Sequence, residues 1–472
     1  MVVLPLIFYA VLRTSAVQTY IAKKIASYLS NELNTKASVG GLDISNFLDI
    51  VLEDVSMEDQ KGENMFYVRR LVFDVGRLSF RHNYLLVDKL MFENAFVGLK
   101  KYPGSDTLNV QFLIDYFASP QEDTIKKDGW NIECKAFELE ESGLVYQDKK
   151  KLPLNGQKVD FNNMSFNNIN LLVKDISFEN DTLMAQLERC SFSEKSGFRL
   201  DDLSAEVLYS PSNASLGKLS LKTPNTSLNI DADFSYGEFV EINDFFDNLR
   251  IDIELEPSVV SLADVSYWVH SLVGMDERIR LNGNVSGNFS NLRGRDFNLG
   301  FGKSTIFRGN FFLSGLPDFN ETFINLFIDE FSTIKSDIDN LKLPGGEKVD
   351  AIQLPASLAN IGILKYQGEL TGFLNDFVAY GTFSTDLGNI SSDLLLRQES
   401  GKKKLSYKGK ISTDGFMIGE LLDPKYRVGK VSLNASLEGS GVSIETLDVS
   451  LKGEIDTIQA YGYSYRDIYL AG

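Results

Sequence analysis

Histidine and cysteine are scarce in this chain of 472 residues, which has two of each: His82, His270, Cys134 and Cys190. A structural zinc site needs four Cys or His ligands in closely spaced pairs, and these four residues lie far apart. We therefore expect neither a metal site nor a cofactor. Two cysteines pair only in an oxidising compartment, and we favour two buried thiols over a disulfide.

Basic residues are also in deficit, with 47 Lys and Arg against 65 Asp and Glu, a formal net charge of -18. Affinity for a phosphate backbone comes mainly from Lys and Arg, so the charge balance argues against a nucleic-acid partner. Apolar residues make up 43 % and charged residues 24 %, both ordinary for folded proteins. Length alone predicts about three compact domains or one extended structure.

Catalytic motifs are missing as well. Residues 302–305 (Gly-Lys-Ser-Thr) imitate the end of a phosphate-binding loop, but that motif requires glycine five positions before Gly302, where this chain has Phe297. The flanking alternation predicts two strands joined by a hairpin turn. Neither His82 nor His270 lies in a nucleophile motif. We nominate no catalytic residue and expect a protein that is not an enzyme.

The chain has no long hydrophobic run. Its uncharged start, residues 1–12, would span about 18 Å as a helix, short of the roughly 30 Å hydrocarbon core of a bilayer. We favour residues 1–13 as an uncleaved signal anchor whose beginning lies upstream of Met1. The alternatives are an export signal and a buried strand. The proposed anchor side chains are Val2, Val3, Leu4, Leu6, Ile7, Phe8, Val11 and Leu12.

Residues 14–36 have the 3.6-residue period of an amphipathic helix. Thr14 or Ser15 can cap its start. Such a helix either lies on a membrane surface or packs against the end of a sheet as a plug. The second arrangement is the commoner one. The predicted apolar stripe consists of Ala16, Val17, Tyr20, Ile21, Lys24, Ile25, Tyr28, Leu29 and Leu33.

From residue 37 the period falls to two, which predicts strands with one apolar face. The predicted organisation is an N-terminal β module at 37–118, a linker at 119–129, a β segment at 130–256, a short helix at 257–274 and a second β segment at 275–472. Short turns join the strands, so the fold class is mainly β with a meandering antiparallel sheet and few helices.

A one-sided sheet must cover its apolar face. Because helices are rare, we expect an elongated sheet that curls lengthwise around an apolar groove, although sandwiches in series fit the same periodicity. Acyl chains suit such a groove, since each buried CH₂ contributes about 0.8 kcal/mol. The candidate groove-lining residues are Ile169, Leu171, Val173, Leu228, Ile230, Phe234, Ile279, Leu281, Val285, Phe289, Leu299, Phe301, Leu433, Leu437, Val449 and Leu451.

Several segments resemble the N-terminal portion of bacterial TamB proteins, the translocation and assembly modules of the AsmA-like superfamily. An anchor and an amphipathic helix are followed by a strand pair with L-E-D-V at 52–55 and a D-x-x-G turn at 59–62. LADVSYWVHSLVGM at 262–275, FRGNFFLSGLPDF at 307–319 and YGYSYRDIYLAG at 461–472 are similar to the same family. The resemblance covers nearly the whole chain.

This resemblance implies a protein anchored in the inner membrane of a Gram-negative bacterium, with its bulk in the periplasm. It implies a taco-shaped β-groove that carries phospholipid toward the outer membrane. The family's other role is translocation and assembly of outer-membrane proteins with an Omp85-type partner, through a C-terminal module that we expect to lie beyond this sequence. Lipid transport is our leading hypothesis, because it follows from the groove.

A hypothesis of another class is a secreted all-β adhesin or carbohydrate-binding protein. Tyr461, Tyr463 and Tyr465 alternate near the end of the chain, and exposed aromatic rings of this kind can bind sugars. The same spacing equally fits one face of a strand.

Overall fold

A computed structural model describes residues 14–45, 49–118, 131–154, 158–237, 248–288, 290–316, 321–342, 356–398, 405–422, 427–441 and 448–471. It confirms a mainly β fold with antiparallel sheet and few helices. The predicted anchor at 1–13, the predicted linker at 119–129 and the candidate Phe289 lie outside the described residues. The chain divides into two compact units, Met1–Ser227 (unit 1) and Leu228–Gly472 (unit 2).

The helices of the described residues are α1 (Ser15–Glu32), α2 (Gln111–Ala118), α3 (Leu262–Ser266) and α4 (Lys335–Asn340). Short 3-10 helices lie at His270–Leu272, Ala356–Ile361 and Ile418–Glu420. Unit 1 has the strands β1 (Ala37–Ser38), β2 (Gly41–Ser45), β3 (Asp49–Glu58), β4 (Asn64–Ser79), β5 (Tyr84–Lys101), β6 (Asn131–Cys134), β7 (Phe137–Asp148), β8 (Asn163–Glu179), β9 (Thr182–Glu194), β10 (Arg199–Leu200), β11 (Asp202–Tyr209) and β12 (Asn213–Lys222).

Unit 2 begins within β13 and is built as a meander. Its strands are β13 (Ser227–Ser235), β14 (Arg250–Ser261), β15 (Arg278–Asn288), β16 (Asn291–Phe301), β17 (Thr305–Ser314), β18 (Phe323–Ile334), β19 (Ile363–Phe373), β20 (Asp376–Thr385), β21 (Gly388–Gln398), β22 (Leu405–Phe416), β23 (Val428–Ser440), β24 (Asp448–Ala460) and β25 (Tyr463–Ala471). From β14 to β25 each strand pairs antiparallel with the next one in sequence.

Unit 1 departs from a simple meander at one point. Strand β5 pairs in parallel with β6 and β7, and parallel neighbours require a crossover connection. Helix α2 lies in that connection. The remaining described pairs of unit 1, including β3 with β4 and β7 with β8, are antiparallel.

Helix α1 covers the apolar face of the first strands of unit 1. Ala22 is 2 % exposed and belongs to a buried cluster with Leu42, Leu52 and Leu71. This packing favours the plug over a helix lying free on a membrane surface. The predicted stripe was partly wrong, because Tyr20 and Tyr28 are more than half exposed and the small Ala22, which lets the helix approach the sheet closely, was not in it.

The short helix predicted at 257–274 begins later than expected. Pro257 to Ser261 continue strand β14, and regular helix is confined to α3 and the 3-10 turn at His270–Leu272. None of the helices in the described ranges combines the length and apolar character needed to cross a bilayer. Cys134 and Cys190 are free thiols and only half-buried, whereas the sequence favoured full burial.

Buried carboxylates hold the ends of several hairpins. Asp59, which opens the D-x-x-G turn, is 2 % exposed and accepts hydrogen bonds from the Lys61 and Glu63 amides, at 2.9 and 3.0 Å, and from the Tyr102 hydroxyl at 2.7 Å. Gly62 completes this turn at φ +80°, a left-handed conformation that glycine adopts without strain. The motif is therefore a structural turn.

Residues 302–305 form the predicted hairpin turn between β16 and β17. The backbone N–H groups of Lys303, Ser304 and Thr305 all point at the carboxylate of Asp337, with N···O distances of 2.8 to 3.1 Å. The Thr305 hydroxyl donates to the same carboxylate at 2.9 Å. These donors, which would bind phosphate in a phosphate-binding loop, are occupied here by a side chain of α4.

Candidate functional site: the apolar face of unit 2

The strand register of unit 2 places apolar side chains in continuous rows across the sheet. Residues directly opposite each other on neighbouring strands point to the same side, and so do alternate residues along one strand. The first apolar row crosses eleven strands, and every member except Thr413 is aliphatic or aromatic. It consists of Leu281, Leu299, Phe307, Phe331, Tyr366, Phe383, Ile390, Thr413, Leu433, Ile455 and Ile468.

Two further rows lie on the same face. In β21, for example, Ile390 of the first row alternates with Leu394 and Leu396 of the other two. The second row consists of Ile253, Val285, Gly294, Phe311, Leu326, Leu370, Ala379, Leu394, Gly409, Leu437 and Leu451; the third consists of Ile251, Gly287, Leu292, Leu313, Ile324, Gly372, Phe377, Leu396, Tyr407, Gly439 and Val449. We call these three rows together the apolar face.

The opposite side of the same strands is polar. One row there consists of Asn310, Phe327, Glu369, Tyr380, Asp393, Lys410, Ser436 and Lys452. Its two aromatic members, Phe327 and Tyr380, are at least half exposed. The sheet of unit 2 therefore has one hydrocarbon side and one side suited to water.

Most side chains of the apolar face are neither buried nor fully exposed. Phe307, Phe311, Phe331, Phe377 and Phe383 are all half-buried. A sheet face covered by a second layer packs at the density of a protein interior, which would bury such rings. These rings therefore remain partly accessible on the described part of unit 2.

Tyr366 is the buried member of the first row, at 4 % exposure. Its ring lies 4.6 Å from that of Phe383, over the facing pair Gly368 and Gly381. A Cβ added to Gly381 would lie 2.3 Å from the Gln367 carbonyl oxygen and 3.0 Å from the Tyr366 ring, so a side chain there would disturb both the strand pairing and the ring. The hydroxyl donates to the Glu369 carbonyl at 3.1 Å. Burial, together with the nearby Glu369 charge, raises the pKa of Tyr366 to about 12.

A cavity opens on the apolar face between β18, β19 and β20. Its volume is about 190 Å³ and its accessible wall is entirely apolar. The side chains that line it from the face include Ile324, Leu326, Leu370 and Phe377, and Leu374 of the β19–β20 turn closes one side. This cavity offers only hydrocarbon to an occupant.

One end of the apolar face is covered by short connections of the chain. Leu387, Phe416 and Val431 form a buried cluster that includes Ile361 and Ile418 of the 3-10 helices among its packed neighbours. Leu433 and Ile455 of the first row also contact this cluster. The chain itself therefore covers the face at this end. None of the residues that line the cavity near Leu370 belongs to this cluster.

The structure brings nine predicted groove-lining residues together on this face or at its margin: Ile279, Leu281, Val285, Leu299, Phe301, Leu433, Leu437, Val449 and Leu451. Leu228, Ile230 and Phe234 are half-buried residues of β13. Ile169, Leu171 and Val173 lie in unit 1, where Leu171 pairs with Leu139 and Val173 with Phe137. They belong to the apolar side of that unit.

The centre of the apolar face lies on β18 to β22, whose residues are not among the predicted groove-lining residues. In β19 the apolar residues Leu364, Tyr366 and Leu370 alternate with Gly368 and Gly372, so glycine breaks the hydrophobic alternation. In β18 bulky residues occupy both sides, as Leu326 and Phe327 show. A search for alternation that accepts glycine at apolar positions would have found these strands.

No protein-family model, no curated protein and no solved structure matches this chain. The resemblance to TamB proteins therefore stays a prediction that rests on the residues quoted above.

Proposed function

We propose that this protein carries phospholipid along the apolar face of unit 2. The observation that carries the proposal is the first apolar row, in which ten of eleven cross-strand neighbours are aliphatic or aromatic. The cluster around Phe416 packs against three members of this row, Ile390, Leu433 and Ile455. Soluble monomers rarely expose contiguous apolar patches of more than a few hundred Å². A face of this extent with half-buried rings supports a binding role.

The chemistry of the face favours acyl chains over other occupants. The wall of the cavity near Leu370 is entirely apolar, and the hydroxyl of Tyr366 is already bound to a backbone carbonyl. A polar ligand would find no specific partner at either place, whereas each CH₂ of an acyl chain gains about 0.8 kcal/mol on burial. Cross-strand rows without a closed pocket also allow a chain to move from one strand to the next.

In this proposal the protein is anchored in the inner membrane through residues 1–13 and works in the periplasm of a Gram-negative bacterium, as the resemblance implies. Phospholipid is its cargo, and an Omp85-type outer-membrane protein is its proposed partner. The protein acts without catalysis and without a cofactor.

The test is to purify the protein in a mild detergent, extract it with organic solvent and quantify phospholipid by mass spectrometry. We expect at least one phospholipid per chain after extensive washing, because exposing the apolar face to water is unfavourable. A matched extraction of a soluble all-β protein purified in parallel sets the background. Lipid at the background level would refute the proposal, and an unfolded outer-membrane protein bound in its place would favour an assembly scaffold.

A further inference from the structure

The polar side of unit 2 has one region whose charge is opposite to that of the whole chain. Residues 278–314 contain six of the 47 Lys and Arg residues but one of the 65 Asp and Glu residues, Asp296. The same segment has six asparagines. Apart from Lys303 in the β16–β17 turn, these residues fall on three consecutive strands, β15 to β17, so the register concentrates them in one area.

Four arginines project from the side opposite to the apolar face. Arg280 pairs with Gly300, next to the apolar pair Leu281 and Leu299, and Arg308 is the neighbour of Phe307. Arg293 lies opposite Phe312. Arg280, Arg293, Arg295 and Arg308 are all exposed. We call these four residues, with Asn282, Asn298 and Asn310 between them, the arginine face.

The guanidinium groups are largely available to a ligand. Within the described residues, Arg280 and Arg295 form no ion pair. Arg293 stacks over the Phe312 ring at 5.5 Å. Arg308 pairs with Glu330 at 2.8 Å, but both side chains are more than a third exposed, and exposed ion pairs contribute little. An incoming anion can therefore compete for all four.

Two hollows lie on the arginine face. One, of about 530 Å³, is lined by Arg280, Asn282, Asn298 and Arg308. The other, of about 610 Å³, is lined by Arg293, Arg295, Asp296 and Asn310 with the rings of Phe312 and Phe327. Its two guanidinium groups outnumber the single carboxylate, so its charged lining side chains are net positive. The Phe327 side chain is 50 % exposed. Each hollow thus combines guanidinium groups with amides, and the second adds an accessible aromatic ring.

We propose that the arginine face binds an anionic saccharide. Guanidinium groups match carboxylates and phosphates in bidentate geometry. Asn298 Nδ2 donates to the Asp296 carbonyl at 3.1 Å and Asn310 Oδ1 accepts from the Asp296 amide at 3.0 Å. The Asn282 amide, Asn298 Oδ1 and Asn310 Nδ2 can together accept from and donate to sugar hydroxyls, and the Phe327 ring offers an apolar surface to the C–H side of a sugar ring. A flat anionic membrane would use the charges but would leave the amides and the hollows without a role.

Saccharide binding on the arginine face is independent of lipid transport, because the two ligands would occupy opposite sides of the sheet. The probe is tetragalacturonate, which has a carboxylate on every sugar, titrated into the protein by calorimetry. Neutral galactotetraose and vesicles of phosphatidylglycerol are the comparison ligands. We expect binding of tetragalacturonate that weakens with salt, with no binding of the neutral sugar and weaker binding of the vesicles.

The double variant Arg280→Gln with Arg295→Gln removes one unpaired guanidinium from each hollow. We expect it to weaken tetragalacturonate binding by at least about ten-fold, because hydrogen bonds to charged groups are among the strongest. The control is Lys452→Gln with Arg466→Gln, which removes the same charge from the distant strands β24 and β25 and should change binding less than about two-fold.

Equal weakening by both double variants would overturn the proposal, because it would show a non-specific charge effect. Tighter binding of vesicles than of tetragalacturonate, with the same dependence on Arg280 and Arg295, would overturn it in favour of a membrane surface. The phospholipid content of the variants, measured by extraction, should equal that of the wild type. This measurement distinguishes a failure of the saccharide-binding proposal from a failure of the lipid-transport proposal.

Discussion

Replacing Leu394 with arginine is expected to remove most of the phospholipid that co-purifies with this protein, at least about five-fold relative to the wild type. Leu394 lies in the second apolar row between Ala379 and Gly409. A guanidinium there would either lie unpaired against acyl chains, which costs several kcal/mol, or would displace the lipid. Extraction and mass spectrometry measure the effect.

The adjacent residue provides a matched control. Leu395 is also half-buried, but its neighbours are Val378 and Lys408, which places it on the polar side. Leu395→Arg introduces the same residue into the same strand and should leave the lipid content close to that of the wild type. Circular dichroism checks that both variants keep their sheet. Equal lipid in the two folded variants would show that cargo does not occupy the apolar face.

The carboxylate of Asp337 is expected to contribute strongly to the stability of the fold. Asp337→Ala should lower the free energy of unfolding by about 3 kcal/mol or more, because it leaves the amides of residues 303 to 305 without their acceptor. An unsatisfied buried donor costs about 1–3 kcal/mol, and Thr305 is 1 % exposed. Urea unfolding measures the difference. Asp329→Ala, at an exposed position of β18, should change it by less than about 0.5 kcal/mol.

The same contacts make stability depend on acid. Burial alone would raise the pKa of Asp337, but hydrogen bonds from Lys303, Ser304 and Thr305 outweigh it and the net pKa is lowered. A lowered pKa stabilises the fold above the unfolded-state value of about 3.9, and this contribution is lost as the pH falls through the folded-state pKa.

As far as Asp337 is concerned, the urea midpoint of unfolding should therefore change little between pH 7 and pH 5. It should decrease when the pH drops below about 4. Asp337→Asn should lose less stability between pH 5 and pH 3 than the wild type does. Asp59 and Asp160, whose pKa values are lowered in the same way, retain part of the acid dependence in this variant. An identical loss in variant and wild type would contradict the assigned role of Asp337.

The strand pattern of unit 2 was predictable where polar and apolar residues alternate strictly. Val431, Leu433, Ala435 and Leu437 do so, and all lie in β23 as expected. The centre of the apolar face was not predictable in the same way, because Gly368, Gly372 and similar residues occupy apolar positions of the register. Their presence depends on how closely backbones and rings approach, which periodicity does not report.

Other features depend on tertiary contacts, which local sequence patterns do not report. The hairpin at residues 302–305 was predictable from its flanking strands, but its acceptor, Asp337, is more than 30 positions away. The buried side of α1 depended on Ala22, whose small size matters only against the sheet. Alternation with Leu281 and Phe307 places Arg280 and Arg308 on the polar side. The side of Arg293 and Arg295 was not predictable from alternation, since a β-bulge next to Gly294 shifts the register.

Photo-crosslinking with a reactive phospholipid would show whether acyl chains occupy the apolar face of unit 2. A phospholipid with a diazirine at the end of one acyl chain is loaded onto the protein and irradiated, and the modified peptides are identified by mass spectrometry. We expect adducts on residues of the three apolar rows, with Leu370 and Phe377 of the cavity among them. Adducts restricted to the polar side, at residues such as Tyr380 and Lys410, or no adducts at all, would contradict it.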